Sequence, residues 1–254
     1  MTAGLLARLR APLAARADLG EALALGWVAL SPAELARRPI RLDGRAAALG
    51  DLFDLSGEPR GRIRFEGDLR LADRLAAGLG EGEVTVDGSV GDDVGSGMAG
   101  GTVVIRGDAG VRAGAAAPEA RRGMTGGELV IHGNAGPAAG TRMRRGLIAI
   151  RGRAGAGAGA TMIAGTVVIM GAAGPETGLW SKRGSIIALG RISIPATYRY
   201  ACTYQPAYLR LVLTRLHTRH GLPIKPRHLS AFFRRYSGDL ADLGRGEILE
   251  WTAK

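Results

Sequence analysis

The residues able to do chemistry are few and scattered. Histidine stands at His132, His217, His220 and His228, and none shares a local pattern with the serine, cysteine and acid that nucleophilic catalysis needs. The single cysteine, Cys202, excludes an internal disulfide and a multi-thiolate zinc or iron-sulfur site built by this chain alone. Acidic residues are dispersed, with Asp92 and Asp93 the one adjacent pair, and no separated carboxylate pair is set off by the pattern. His217 and His220, three apart on an expected helix, lack an HExxH pattern or a nearby carboxylate in sequence, so they read as part of a solvated stripe. On these grounds no catalytic residue and no metal ligand is assigned to the chain.

Two features resemble chemistry more closely. Gly152-Arg-Ala-Gly-Ala-Gly-Ala-Gly159 looks like a phosphate-cradling dinucleotide fingerprint, but it is in register with a glycine repeat and does not open a helix in a βαβ unit. His132 falls at an outward strand position, where left-handed hexapeptide acyltransferases also carry a catalytic histidine. The equivalent positions in neighbouring repeats hold Arg106, Arg151 and Met170. A surface histidine is the plainer reading, with an acyltransferase-like base as the alternative.

The elements that position these residues come from the repeat. Glycine, any residue, apolar, any, apolar, any, glycine recurs seven times, with starting glycines at Gly61, Gly82, Gly101, Gly127, Gly146, Gly165 and Gly184. After the first step the interval is 19 residues, except between Gly101 and Gly127, where an Ala-Pro-rich insertion, Ala115 to Arg121, adds seven. Each copy predicts a short strand whose two apolar positions face one way, because strand side chains alternate with period two. Glycine at both ends permits the positive φ that sharp corners require. A single turn of chain cannot bury its own apolar face, whereas stacked turns can. The expected fold is all-β: a parallel β-helix of about seven glycine-cornered coils, with a helical C-terminal extension. The expected division is a capping segment over residues 1–60, the repeat over 61–190 and the extension over 191–254.

Other positions keep the same register. Met98, Met124, Met143 and Met162 each stand three residues before a starting glycine and form a column, read as core packing rather than a soft-metal site. The corner Gly107-Asp-Ala-Gly110 recurs at Gly133, Gly152 and Gly171 with a variable second member, and no stacked Asn or Asp ladder is expected there. The middle outward strand positions hold Val104, Val130, Ala149, Val168 and Ile187, an apolar strip about 20 Å long at the usual interstrand spacing. Something covers such a strip: the chain's own C-terminal helix, or another protein of a complex for which these residues would be the subunit interface.

In the flanks, Ser31-Pro32-Ala33-Glu34 reads as a helix start. Tyr208 to His220 places Leu209, Val212, Leu213 and Leu216 at helical spacing before Gly221 and Pro223, and a second helix is expected from Arg227 to Tyr236. The apolar stretch Trp27 to Leu30, with Leu23 to Leu25 before it, is too short for a membrane span and has no cleavage pattern after it, so no membrane association is expected. The sparse cysteine points to the cytoplasm. With 34 Lys and Arg against 23 Asp and Glu the net charge is +11, which calls for an anionic partner. Nucleic acid is disfavoured by 5% aromatic content and the absence of any nucleic-acid-binding motif.

The glycine-cornered repeat followed by Tyr204-Gln-Pro-Ala-Tyr-Leu-Arg-Leu-Val-Leu213 and Arg235-Tyr-Ser-Gly-Asp-Leu-Ala-Asp-Leu-Gly-Arg-Gly-Glu-Ile-Leu249 resembles the C subunit of formylmethanofuran dehydrogenases. It is most similar to the version in the formyltransferase/hydrolase complex of methylotrophic bacteria. The resemblance covers residues 61 to 250, and the repeat alone is shared with the glutamate synthase C-terminal domain, so a stand-alone scaffold of that type is the alternative. It implies a right-handed helix and a noncatalytic scaffold in a cytoplasmic hetero-oligomer of one-carbon metabolism. It also implies A, B and D partners, a metal in the A subunit, tetrahydromethanopterin, and a methanofuran-type carrier with a polyglutamate tail. That tail would suit the chain's positive charge, and the outward Arg106, Arg121, Arg122, Arg142, Arg144, Arg145, Arg151 and Arg153 are the candidates to hold it.

Overall fold

The computed structural model describes residues 4–23 and 26–252; residues 24 and 25, part of the apolar stretch ahead of Gly26, lie outside them. All seven glycine-bounded copies are strands of one 12-stranded sheet, and each pairs in parallel with the copy before and after it. The register is one repeat per step: Leu129 is opposite Val103 and Ile148, and Val167 is opposite Ile148 and Ile186. The inner row, Ile63, Phe65, Val84, Val86, Val103, Ile105, Leu129, Ile131, Ile148, Ile150, Val167, Ile169 and Ile186, is buried in a single core.

A second stack of pairings runs beside the first. Leu69, Val90, Ala109, Ala135, Ala154 and Ala173 form successive parallel bridges, so the tiny corner residues of the repeat are its second line of register. The corner glycines answer two demands at once. Gly127 and Gly146 both have φ above 80°, a region costly for residues with a Cβ. A Cβ on Gly146 would also sit 2.7 Å from Met124 Cε and 2.8 Å from the Gly127 carbonyl oxygen.

The corners carry more polar order than their composition suggests. The Ser89 hydroxyl accepts from Asp108 N–H, Asp108 Oδ1 accepts from Asn134 N–H at 2.6 Å, and Asn134 Oδ1 accepts from Arg153 N–H at 2.8 Å. A short Asx ladder therefore exists where none was expected. Each side chain satisfies the backbone donor one repeat on, a task that needs an oxygen at the right height rather than an identical residue.

The parallel ladder is longer than the glycine pattern. Leu5–Leu9 pairs in parallel with Arg62–Glu66, and Arg245–Trp251 pairs in parallel with Arg183–Ala188, adding a rung at each end. Phe53–Ser56 closes the first edge antiparallel to Leu5–Leu9. At the other edge Phe233–Gly238 and Arg199–Tyr204 continue antiparallel beyond Arg245–Trp251. The C-terminal extension is thus mixed rather than helical. The expected second helix is a short helix, Pro226–Leu229, followed by strand, because Phe233 and Tyr236 lie in a segment whose backbone groups pair with Trp251 and Ile248. The expected first helix is present as Ala207–His220, ended by Gly221 at φ 65°. Ser31 caps Pro32–Ala36 with a full capping box to Glu34. No helix among the described residues is long and apolar enough to cross a membrane.

Candidate functional site

The long helix settles what covers the apolar strip. Val130, Ala149, Val168 and Ile187 are fully buried in one cluster with Leu209, Leu213 and Leu216, and Val104 packs at its margin. The helix presents its apolar residues at helical spacing to the flat outer face of four successive strands. Of the two covers the sequence left open, the chain's own helix buries four of these five residues and leaves Val104 partly exposed at the margin, with a gain of about 1.5 to 3 kcal/mol for each large side chain buried.

The histidines follow the same helix. His220 is buried and its Nε2 lies 3.0 Å from Glu128 Oε2, while Arg215 Nε reaches Glu128 Oε1 at 2.7 Å. His217 Nδ1 contacts the Leu222 carbonyl at 2.9 Å. His217 is exposed, as a solvated stripe requires, whereas buried His220 anchors the helix, and the carboxylate that sequence proximity did not reveal comes from a distant strand. His132 sits in a column with Arg106 and Arg151, its Nε2 enclosed and without a hydrogen-bond partner. Burial first, then Arg106, Arg151 and His220, hold its pKa below the ordinary imidazole value. These surroundings favour the neutral ring.

The eight candidate arginines do not converge on one place. Arg106 lines a cavity with Glu83, Arg219 and His220 beside the long helix. Arg151 flanks His132, and Arg153 borders a shallow depression with Asn134 and Ala173. Arg142 donates to the Ala120 carbonyl at 3.3 Å and so ties down the insertion, in which Arg121 is exposed. Arg122, Arg144 and Arg145, however, meet in one groove of about 590 Å³, where Lys182 and Arg183 join them over a floor of Ile163, Ala164 and Gly165. Leu243, from the turn before the last strand, forms part of the wall. Lys182 lies 3.7 Å from Asp242, and among the described residues no carboxylate forms an ion pair with the four arginines.

Five cations with one peripheral carboxylate can bind an anion. Lys182 and Arg183 were missed in sequence, though a signal was present. They occupy the two positions before Gly184 that Arg144 and Arg145 occupy before Gly146. An exposed apolar group lies alongside: Trp180, Leu240 and Leu243 are each about half exposed, and Trp180 N–H donates to Asp239 Oδ2 at 2.7 Å, joining this corner to the 239–244 turn.

No family model matches the chain. Over 84 residues, 33% of the chain, it is 40% identical to the C subunit of the formyltransferase/hydrolase complex Fhc of Methylorubrum extorquens; that match spans 32% of the curated relative's own length. The fold is similar throughout to a chain of the X-ray crystal structure of the formyltransferase/hydrolase complex (FhcABCD) from Methylorubrum extorquens in complex with methylofuran. The TM-score is 0.78 at 36% identity, covering 98% of this chain and 100% of that one. With one likeness naming the C component of the complex and the other running the length of both chains, the protein belongs to the family of Fhc C subunits.

Proposed function

We propose that the chain is the noncatalytic structural component of a formyltransferase/hydrolase complex, assembled with A, B and D partners. The complex would convert formyl-tetrahydromethanopterin to formate through a formylated furan-amine carrier. The observation that carries this reading is the full-length likeness to a chain of such a complex, crystallised with methylofuran. The scattering of the histidines, with buried His220 taken up in anchoring the helix, is consistent with chemistry on the partner proteins. Those partners would supply the metal and the tetrahydromethanopterin site.

The finer architecture is a right-handed parallel β-helix over residues 61–190, closed by residues 1–60 and 191–254. Two ladders repeating in register at one-repeat intervals support the helix, and family likeness supports its hand. The carrier's anionic tail would be held by outward arginines, for which the groove at Arg122, Arg144 and Arg145 is the best-supported location. Exposed ion pairs contribute only about 0 to 1 kcal/mol each, so several must act together and binding must weaken with salt.

The test is purification of the chain from its native host at low salt, with intact-complex mass and an assay for formate release from formyl-tetrahydromethanopterin. Co-purifying partner proteins, with activity that the chain alone lacks, are expected. An active chain without partners would overturn the reading.

A further inference from the structure

A cavity with charged walls lies at the opposite end of the stack from the cationic groove, in the four-stranded sheet that joins the capping segment to the first turn of the repeat. Ala17–Asp18 pairs in parallel with Ala72–Asp73 and antiparallel with Pro39–Leu42, which pairs antiparallel with Arg45–Ala48. The register sets Asp18 opposite Arg41 and Arg41 opposite Ala46, so these three share one face of the sheet. The cavity has a volume of about 460 Å³; Pro39, Ile40 and Ala46 supply its apolar lining, and Asp18, Glu21, Arg41 and Arg74 its charge.

Those four charges sum to zero in a chain whose net charge is +11. They are not all paired off. Cross-strand neighbours of opposite charge ordinarily join, but Asp18 is committed elsewhere: its Oδ1 accepts from Gly20 N–H at 2.8 Å and its Oδ2 from Arg74 Nη1 at 2.9 Å. Glycine at position 20 permits this, since a Cβ there would fall 2.9 Å from Arg74 Cζ. Arg41 is left opposite an acid that does not take it. Among the described residues neither Arg41 nor Glu21 has an ion pair or a side-chain hydrogen bond, although both are exposed on the same cavity.

This arrangement selects by the sign of charge. A simple anion is attracted by Arg41 and repelled by Glu21, and a simple cation meets the reverse. A molecule carrying both signs satisfies both walls: its ammonium donates to the Glu21 carboxylate, its carboxylate accepts from the Arg41 guanidinium, and its aliphatic body lies on Pro39, Ile40 and Ala46. The Asp18–Arg74 pair, already neutralised, forms a fixed wall.

We infer that this cavity is a binding site for a small zwitterion, an aliphatic amino acid, with Glu21 taking the ammonium and Arg41 the carboxylate. The site is separate from the carrier-holding groove and does not rest on that reading. Glu21 lies in the turn after Ala17–Asp18 and Arg41 in the neighbouring strand, so an occupant ties two parts of the capping segment together and stabilises them as it binds.

Leucine is the probe, with N-acetylleucine, which lacks the ammonium, and leucinamide, which lacks the carboxylate, as controls. Each is followed by ligand-observed NMR titration into the full-length chain and into the purified complex. Wild type is expected to bind leucine at least about fivefold more tightly than either control. Glu21→Gln is expected to abolish the preference over N-acetylleucine, and Arg41→Gln the preference over leucinamide. Arg45→Gln, exposed on the adjoining strand and outside the cavity, is expected to keep both preferences. Unaltered thermal midpoints show that these variants, all at exposed positions, are folded. Equal binding of the three compounds by wild type would mean apolar contact only and would overturn the inference. So would a loss in Arg45→Gln matching that in the cavity variants, or no leucine binding by either the chain or the complex. Leucine binding by the chain but not by the complex would show the cavity covered by a partner protein and would also overturn it. Each of these failures leaves the carrier reading standing.

Discussion

His220 and Glu128 lie 92 residues apart in sequence and 3.0 Å apart in space, the last residue of the long helix against the first residue of a strand. Glu128 serves two helix residues at once, because Arg215 takes its other oxygen. The side chains of His220 and Glu128 are 3% and 12% exposed, so the contact is largely withdrawn from water. It fixes where along the sheet the helix sits, a choice that apolar packing against a flat strip leaves loose.

Removing that carboxylate leaves a buried ring nitrogen and a guanidinium without their acceptor. Glu128→Ala is therefore expected to destabilise the chain by about 1 to 3 kcal/mol in denaturant titration. Glu83→Ala, which removes the more exposed partner of Arg219, is expected to cost less than about 1 kcal/mol. A similar cost for both would show that Glu128 contributes only surface electrostatics.

Such long-range contacts mark the limit of what the sequence displays. The seven strands, the inward apolar rows and the corners were legible because glycine and alternation are local properties that every copy repeats. The rungs at Leu5–Leu9 and Arg245–Trp251 were not, since a terminal rung pairs with the repeat on one side only and need not carry both corner glycines. The segment at Phe233 looked helical because Leu229, Phe232, Phe233 and Tyr236 fall at helical spacing. Tertiary pairing to the last strand overrode that pattern. The groove was half legible: Arg144 and Arg145 were named, while Lys182 and Arg183 needed the stacking distance before they could be joined to them.

The low pKa of His132 has a direct consequence for acid stability. Burial, Arg106, Arg151 and His220 disfavour its proton in the folded state, and burial, Arg227 and Lys225 do the same at His228. The unfolded chain then takes up protons first as pH falls, so this contribution is intact above about 6.5 and is lost as pH falls through the depressed folded values. The thermal midpoint is expected to be lower at pH 5 than at pH 7.5, and His132→Leu to shrink that difference. The same variant is expected to leave formyl-transfer activity of the complex within twofold of wild type. A loss of about a hundredfold or more would instead identify a general base and restore the acyltransferase-like reading.

The methionine column separates packing from ligation by a pair of substitutions. Met98, Met124, Met143 and Met162 are fully buried, and the ends of the last three lie where a Cβ on Gly146, Gly165 and Gly184 would fall, at 2.7, 2.8 and 3.0 Å. Each of these three methionines thus fills the hollow left by the starting glycine one rung on, and the two residue types are a matched pair across that rung. An unbranched apolar side chain, or one of similar volume, should meet that need, whereas a truncated one should leave a cavity with no atom able to collapse into it. Met143→Leu is expected to cost less than about 1.5 kcal/mol and Met143→Ala about 2 to 5 kcal/mol, measured by denaturant unfolding. If the thioethers instead held a soft metal ion, leucine would be as damaging as alanine, and both variants would lose a metal that elemental analysis finds in the wild type. Near-equal costs for the two substitutions, accompanied by that metal loss, would overturn the packing account.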